Sequence, residues 1–342
     1  MIRTPDPNVV VEPSQARDHE SDTGVGINQH LPSALLGDKA SLSLKAQAEI
    51  ARLERRDPWR FVWTLAATWG SIISAITLAL YIDNFIFSIA VVIFVGTRQN
   101  ILGLLMHEQC HRLAFYSKAG DLFCNVFCCY PLFITLEGYR RVHLAHHQSF
   151  FTDRDPDYTR KQGPAWTFPQ RVSELVRRFL VDLTGLNVAT TILGKGQTRG
   201  EAGAAKPFWL PRVVFYVVAI SVIAGSGSWS TVAVFWVLPL ATVLQAIVRW
   251  GAICEHRYDL GPIGVAESTP LIEPRWWENI LLPNLNFTLH VYHHWFPRVP
   301  FSCLPLVHRI FQREQLVDNS LVFHGYGDYL RSLLLPASRT TP

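Results

Sequence analysis

Histidine is the residue whose placement first indicates chemistry in this sequence. The chain contains 13 histidines, and eight of them fall into three short clusters. The first cluster is His107-Glu108-Gln109-Cys110-His111, and the other two share the pattern His-x-x-His-His, at 143–147 and 290–294. Because residues three and four apart lie on one face of a helix, each cluster would present its imidazoles together. Imidazole clusters of this kind bind transition metals.

One further histidine completes the predicted ligand set. His256 follows the last long apolar segment, in the sequence Cys254-Glu255-His256. A zinc site uses three or four protein ligands, so nine imidazoles predict two metal ions. Imidazole binds Fe, Zn, Cu and Ni, so the ligand type alone does not choose the metal. The predicted ligands are His107, His111, His143, His146, His147, His256, His290, His293 and His294.

Three polar residues beside the clusters are candidates for supporting roles. Asn286 lies four residues before His290, and we expect it on the same helical face. Asp155 and Asp157 follow the second cluster and would accept hydrogen bonds from ligand imidazoles. A turn or a helix cap explains either aspartate equally well. The remaining histidines lack such spacing and are interpreted as incidental: His19, His30, His308 and His324.

Composition places these clusters in a membrane protein. Hydrophobic residues make up 49% of the chain and charged residues only 17%, which is typical of integral membrane proteins. The uncharged segment from Phe61 to Ile82 is long enough to cross a hydrocarbon core about 30 Å thick. Similar segments are predicted at 85–106, 208–224 and 231–248. The sequence therefore predicts four transmembrane helices.

The distribution of charge predicts how these helices are oriented. The N-terminal residues lack the apolar core of a signal peptide, so the N-terminus is expected in the cytoplasm. Two helical hairpins would then place every histidine cluster on the cytoplasmic side. The basic residues agree with that topology: Arg52, Arg55, Arg56, Lys118, Arg140, Arg141, Arg177, Arg178 and Lys206. The predicted fold is an all-α integral membrane protein, with four transmembrane helices in two hairpins and a cytoplasmic helical cap that holds a di-metal site.

Other segments complete the predicted organisation. Residues 1–45 are expected to be a disordered tail because they contain too little apolar surface to pack. Residues 46–330 would form the membrane domain, and 331–342 a C-terminal tail. An amphipathic stretch at 171–193 predicts a helix in the membrane interface, followed by a flexible loop at 194–206. The net charge of +4 comes with no nucleic-acid-binding motif, so nucleic acid is not an expected partner.

The order of the clusters resembles a known family. The pattern of HxxxH, HxxHH and HxxHH boxes between apolar segments is similar to that of the membrane fatty acid desaturase and hydroxylase superfamily, over roughly 61–308. The Asp155-Pro156-Asp157 sequence and the proline-rich stretch after His294 resemble elements of the same family. The resemblance implies that the nine histidines bind two iron ions and that O2 is a co-substrate. Ala252 is a departure, since stearoyl-CoA desaturases have at that position an asparagine that holds a metal-bound water. The resemblance implies a related role for Asn286, and a purely structural amide is the alternative.

The resemblance also implies an activity, desaturation of a fatty acyl lipid chain. Hydroxylation or ketolation of a lipid or carotenoid on the same scaffold is the alternative. Since no dinucleotide or iron–sulfur motif is present, an external electron donor is expected. This would be ferredoxin, or a small cytochrome with its reductase, docking near Arg140, Arg141 and Arg177.

Two alternative functions, outside lipid oxidation, remain open. His107-Glu108-x-x-His111 also matches the HExxH motif of zinc proteases, in which Glu108 would be the general base. That reading leaves seven histidines of the predicted ligand set unexplained. A metal carrier is the other alternative, although transporters usually place ionisable residues deep within several spans.

Overall fold

The computed structural model describes residues 32–186 and 209–335. Within these ranges the secondary structure is helical, with three isolated β-bridges and no β-strand. The prediction of an all-α protein is confirmed for this part of the chain. The predicted loop at 194–206, the end of the amphipathic segment beyond residue 186 and residues 1–31 lie outside the described residues.

The described ranges contain α-helices of 4 to 27 residues. In chain order they are α1 (Leu44–Leu53), α2 (Pro58–Ile82), α3 (Phe85–Cys110), α4 (Lys118–Cys124), α5 (Leu136–Gln148), α6 (Pro156–Arg160), α7 (Val172–Leu183), α8 (Leu210–Ser226), α9 (Trp229–Glu255), α10 (Val265–Ser268), α11 (Trp276–Leu281), α12 (His290–Trp295), α13 (Leu304–Arg313) and α14 (Tyr326–Ser332). Helix α9 includes a π-helical turn at Ala233–Val237.

Three helices, α2, α3 and α9, are long and apolar enough to cross a membrane. Helix α8 covers the predicted third span but has only 17 residues, and a helix of that length reaches about 26 Å. The segments Lys118–Leu132 and Leu136–Gln148 are long and apolar enough to cross a membrane only when they are taken together, and the chain bends by 92° between them. The described chain therefore has three candidate spans, or four if the bent pair counts as one.

The two best-defined spans begin at strong helix caps. The Asp57 side chain accepts a hydrogen bond from the backbone N–H of Arg60, and Pro58 occupies the first turn of α2, where proline is favoured. Asn84 caps α3 in the same way through the N–H of Phe87. Each cap satisfies a donor that would otherwise have no partner at the start of an apolar helix.

Helices α3 and α9 approach each other closely at Gly96. A Cβ atom at that position would lie 2.6 Å from Cγ1 of Val243. Small residues at such crossings let helix backbones come together within membranes. This contact holds together the two helices whose C-terminal ends carry His107 and His256.

Residues in both predicted tails pack against the rest of the fold. Leu35 pairs with Val317 in a β-bridge, and the Ser33 hydroxyl donates to the carbonyl of Ala266. Leu333 is fully buried near the other end of the described residues. Both segments thus add apolar side chains to the core, and the domain boundaries at 45 and 331 stay predictions.

Beside the long apolar helices, two shorter helices each present several apolar side chains outward. Helix α7 exposes a stripe along the predicted amphipathic segment, consisting of Val172, Val176, Leu180 and Leu183. Helix α11 exposes Trp276, Trp277, Ile280 and Leu281, a surface that the sequence did not predict because the helix has only six residues. Tryptophan and aliphatic residues on short helices are typical of the membrane interface.

Candidate metal centre

The predicted ligands come from four parts of the fold. His107 lies in the last turn of α3, and His111 directly follows that helix. Helix α5 carries the second cluster and α12 the third, while His256 is the residue after α9. The structure brings all nine imidazoles together, although His107 and His294 are far apart in the sequence.

A salt bridge fixes the end of α3. The Arg140 guanidinium donates to the carbonyls of Gln109 and Cys110 at 2.9 and 3.0 Å, and it binds Asp121 at 2.8 Å. A cation at a helix C-terminus satisfies carbonyls that lack helical partners. Arg140 thus holds the backbone beside His111. We had expected it in a docking surface, but its guanidinium is occupied by these internal bonds.

Five imidazoles form the first group: His107, His111, His143, His147 and His293. Their ligand nitrogens all lie within 4.8 Å of one another. The Nε2 atom of His143 is 2.7 Å from that of His107 and 2.8 Å from that of His111. The Nε2 atom of His147 is 3.1 Å from that of His293. These nitrogens converge on one point between α3, α5 and α12.

Four imidazoles form the second group: His146, His256, His290 and His294. The Nε2 atom of His146 lies 3.3 Å from the Nε2 atoms of both His256 and His294, which are 3.0 Å from each other. The two groups are adjacent, since the rings of His147 and His294 stack with centroids 4.2 Å apart. The structure therefore contains two neighbouring groups, as expected for two metals.

Both HxxHH clusters are divided between the groups. His147 belongs to the first group and His146 to the second, and His293 and His294 are divided in the same way. Neighbouring residues on a helix project about 100° apart, so they point to different centres. The first cluster does present its two imidazoles together, but for the second and third clusters this expectation was too simple, since α5 and α12 each contribute to both groups.

The donor set fits metal ions. In a polyhedron with metal–nitrogen bonds of about 2.1 Å, neighbouring nitrogens are about 3.0 Å apart in an octahedron and about 3.4 Å apart in a tetrahedron. The Nε2 separations of 2.7–3.3 Å lie close to these two distances. Buried Nδ1 of His290 has no hydrogen-bond partner among the described residues, so this ring has a nitrogen free to bind a metal.

Burial also keeps these rings neutral. It lowers the pKa of His111 to about 4, with a further contribution from the charge of Arg140. Burial, followed by the neighbouring imidazoles, lowers the pKa of His290, His293 and His294 well below the usual value. A neutral imidazole is the form that binds a metal.

Two residues contact the outer nitrogens of second-group ligands. Asp155 Oδ2 lies 2.8 Å from Nδ1 of His146, and Thr269 Oγ1 lies 3.0 Å from Nδ1 of His256. Asp155 also caps α6, because its Oδ1 accepts from the N–H groups of Asp157 and Tyr158. Asp155 therefore both contacts the imidazole of His146 and caps a helix, as the two alternative predictions had it. No sequence pattern indicated Thr269, since its partner is 13 residues away.

Asp157 has different partners. Its carboxylate pairs with Arg160 and lies 3.6 Å from Nζ of Lys161. Burial acts to raise its pKa. The charges of Lys161, Arg160 and His146, together with the hydrogen bond from Arg160, outweigh burial and lower the pKa to about 2. These contacts join Asp157 to basic residues of α6 and the following turn, and an imidazole-orienting role stays a proposal.

Asn286 is not on the helix of the third cluster. Its φ of 64° lies in the left-handed region, and α12 begins only at His290. The amide Nδ2 donates to the carbonyl of Phe301 at 3.1 Å. The prediction of one helical face from Asn286 to His294 was wrong, because the left-handed residues Leu285 and Asn286 precede the helix.

Two other acidic or basic side chains near the clusters have clear structural partners. The Glu108 carboxylate accepts from the backbone N–H of Phe301, at 3.2 Å to Oε1. His308, which the sequence indicated as incidental, is buried between the Tyr292 hydroxyl at 2.8 Å and Glu273 at 3.1 Å. It links α12 to α13 and thereby supports the helix that carries three ligands.

A cavity of about 660 Å³ reaches the first group, with His107 and Phe287 in its wall. The Phe287 ring lies 4.5 Å from that of His107. Ligand sites commonly have volumes of about 300–1,000 Å³. Much of the wall is apolar and comes from α3 and α9, including Leu104, Met106, Leu240, Leu244, Ile247 and Val248. The cavity thus offers an apolar chain a path to the imidazoles.

Comparison with known proteins agrees with this geometry. The family model described as fatty acid desaturase matches residues 84–327, which include all nine histidines. The chain belongs to the fatty acid desaturase family. Membership in this family fits the histidine clusters and the apolar helices of a membrane desaturase or hydroxylase. No curated protein matches the chain.

Proposed function

We propose that this member of the fatty acid desaturase family is an O2-dependent di-iron enzyme that introduces a double bond into the acyl chain of a lipid. The observation that carries the proposal is the position of the two imidazole groups beside a cavity whose wall includes His107. The first group would hold one iron and the second group the other. When bound, the two irons would supply oxidation of an unactivated C–H bond by O2.

The protein's own residues bind the chain and exclude water. The apolar wall favours an acyl chain by burying its surface. Phe287 contacts the rings of His107 and His293, with centroids 4.5 and 5.6 Å apart, so it limits how closely the chain approaches them. On the other side, the Phe150 ring covers His256 and His294 at 5.1 and 5.0 Å.

The proposal includes a membrane topology. Helices α2, α3, α8 and α9 would form two hairpins, with the N-terminus and the imidazole groups in the cytoplasm. The distribution of Lys and Arg supports this orientation. Helix α8 would span with its flanking residues near the interface, since short segments are accommodated by local thinning of the bilayer.

Electrons must come from a partner under this proposal. A ferredoxin, or a small cytochrome with its reductase, would bind the cytoplasmic face. Arg141 and Arg177 remain candidates for that contact because both are exposed. Arg177 also pairs with Glu174.

Lipid profiling tests the reaction. A host that lacks its own desaturases should gain an unsaturated lipid when it expresses this chain, and His293→Ala should abolish that product. Purified protein should contain two iron ions per chain. Products that are only hydroxylated or ketolated would support the alternative enzyme, and a single zinc ion per chain would contradict the proposal.

A further inference from the structure

Two glycines lie in the cavity wall, one on each of the two helices that provide much of its apolar surface. Gly103 belongs to α3 and Gly251 to α9. Both are half-buried, and a Cβ atom built at either position would have no neighbouring atom within 4 Å. The space that a side chain would fill is therefore empty at both positions.

The pattern of lining residues shows that these empty spaces belong to the cavity. On an α-helix, the residues three and four positions away on either side surround a residue on its own face. All four such residues line the cavity for Gly103, and all four do so for Gly251. Each glycine is thus central in the wall that its helix provides, and a side chain there would project into the cavity. The surrounding residues are Gln99, Asn100, Met106 and His107 on α3, and Ile247, Val248, Cys254 and Glu255 on α9.

The two glycines lie at nearly the same height in the fold. Helices α3 and α9 run in the same direction, because the C-terminal ends of both reach the imidazole groups. The helices approach each other where Gly96 faces Val243. Gly103 is seven residues beyond this crossing and Gly251 eight, or about 10.5 and 12 Å along the helix axes. Each is four or five residues before the ligand at the end of its helix, which corresponds to about 6–8 Å.

Two recesses at one height widen the cavity just before the metal centre. Neighbouring positions of the wall carry larger side chains, such as Leu104 on α3 and Leu244 on α9. Contact between surfaces provides dispersion energy, and a small unfilled void forfeits it. A linear acyl chain has one width along its length and would leave a recess unfilled. A chain with a small side group at this height would fill it.

We propose that Gly103 and Gly251 determine specificity by admitting a lipid whose chain carries a methyl branch beside the metal centre. The branch would occupy the recess at one of the glycines, while the rest of the chain lies along the apolar wall. Both glycines act through the room that they leave, and not as catalytic groups. This inference names the substrate class of the proposed reaction and rests on that proposal.

A binding experiment with isomeric ligands tests the selection. The probes are linear nonadecanoic acid and a series of methyloctadecanoic acids, which have the same number of carbons and differ in the position of the branch. Each probe displaces radiolabelled nonadecanoic acid from the purified full chain in detergent. The measured quantity is the affinity of a branched acid divided by that of the linear acid. At least one branched isomer should bind about fourfold more tightly, which is the effect of burying one additional methyl group.

Alanine variants assign the preference to the recesses. In the double variant Gly103→Ala/Gly251→Ala, the added methyl groups fill both recesses, so the ratio for the preferred isomer should fall about fourfold or more. The two single variants show which recess holds the branch. Gly70→Ala is the matched control, because a Cβ at Gly70 also has no neighbour within 4 Å but Gly70 lies outside the cavity wall. The ratio should be unchanged in this control.

Each comparison is a ratio within one protein, so partial loss of folded protein cancels. The inference is overturned if no branched isomer binds more tightly than the linear acid, or if the ratio is the same in the double variant and in Gly70→Ala. It is also overturned if the double variant keeps its melting temperature but no longer binds the linear acid, since a linear chain would then fill the recesses itself.

Binding requires no turnover, so the two proposals can fail separately. A preference for a branched acid without any new lipid in the profiling experiment would refute only the proposed reaction. A new unsaturated lipid without the preference would refute only the selection by the two glycines.

Discussion

The imidazole of His146 is contacted at both ring nitrogens. Its Nε2 faces the ligands of the second group, while its Nδ1 lies 2.8 Å from the Asp155 carboxylate. A carboxylate at the outer nitrogen fixes the tautomer and the orientation of a ligand ring and raises its basicity. Asp155 can therefore influence metal binding without touching the metal.

Replacing Asp155 with Asn should lower metal affinity or activity about 10- to 100-fold. The asparagine side chain is neutral and has only one acceptor oxygen, whereas the carboxylate is charged and has two. Iron per chain and the yield of lipid product measure the effect. Asp157→Asn is the control, since Asp157 pairs with Arg160 and Lys161. An equal loss of iron in both variants would contradict an orienting role for Asp155.

Substitutions of Glu108 can distinguish the proposed desaturase from a zinc protease. Its carboxylate accepts the N–H of Phe301, and a glutamine oxygen can accept the same bond. Glu108→Gln should therefore keep the iron content and the lipid product within about twofold. Glu108→Ala should lower the melting temperature, since it leaves a buried N–H without a partner. Complete loss of activity in Glu108→Gln with the metals retained would favour a general base at this position.

At the scale of elements, the crossing of α3 and α9 determines how the ligands meet. Gly96→Ala should destabilise the protein by about 1–3 kcal/mol, because the added methyl group overlaps Val243. Gly70→Ala, where a Cβ meets nothing within 4 Å, provides the matched change in α2. Thermal unfolding in detergent compares them. Similar melting temperatures for both variants would show that the crossing tolerates the extra volume.

The sequence predicted some elements better than others, for physical reasons. Long apolar segments predicted α2, α3 and α9 because hydrophobic length is a direct requirement of a bilayer. Helix α11 was missed because six residues are too few to show a period. Eight of the nine candidate ligands followed from spacing, and His256 followed from its position after an apolar segment. Their division into two groups depends on how α5 and α12 are rotated in the fold. Thr269 and the cavity wall likewise depend on tertiary contacts.

At the scale of the whole molecule, the buried imidazoles make the metal-free protein sensitive to acid. The pKa of His111 falls from 6.5 to about 4 on folding. Between these values the unfolded chain binds a proton that the folded chain does not, so stability decreases as the pH falls below 6.5. His111 alone would contribute up to about 3 kcal/mol over this range.

Thermal unfolding of chelator-treated protein at about pH 7.5 and about pH 5 measures this effect. The melting temperature should be lower in acid, and His111→Gln should reduce the difference because glutamine does not titrate. A melting temperature that is the same at both values would contradict the assignment of His111 as a buried neutral ring.

Both imidazole groups depend on α12, which lies late in the chain. A nascent polypeptide that ends before His290 retains His107, His111, His143 and His147 for one group, but only His146 and His256 for the other. Since synthesis proceeds from the N-terminus, neither centre can be completed until nearly the whole chain has been made and inserted. Metal content would thus report complete biogenesis, and a prematurely terminated chain would be an incomplete chelator exposed to cellular quality control.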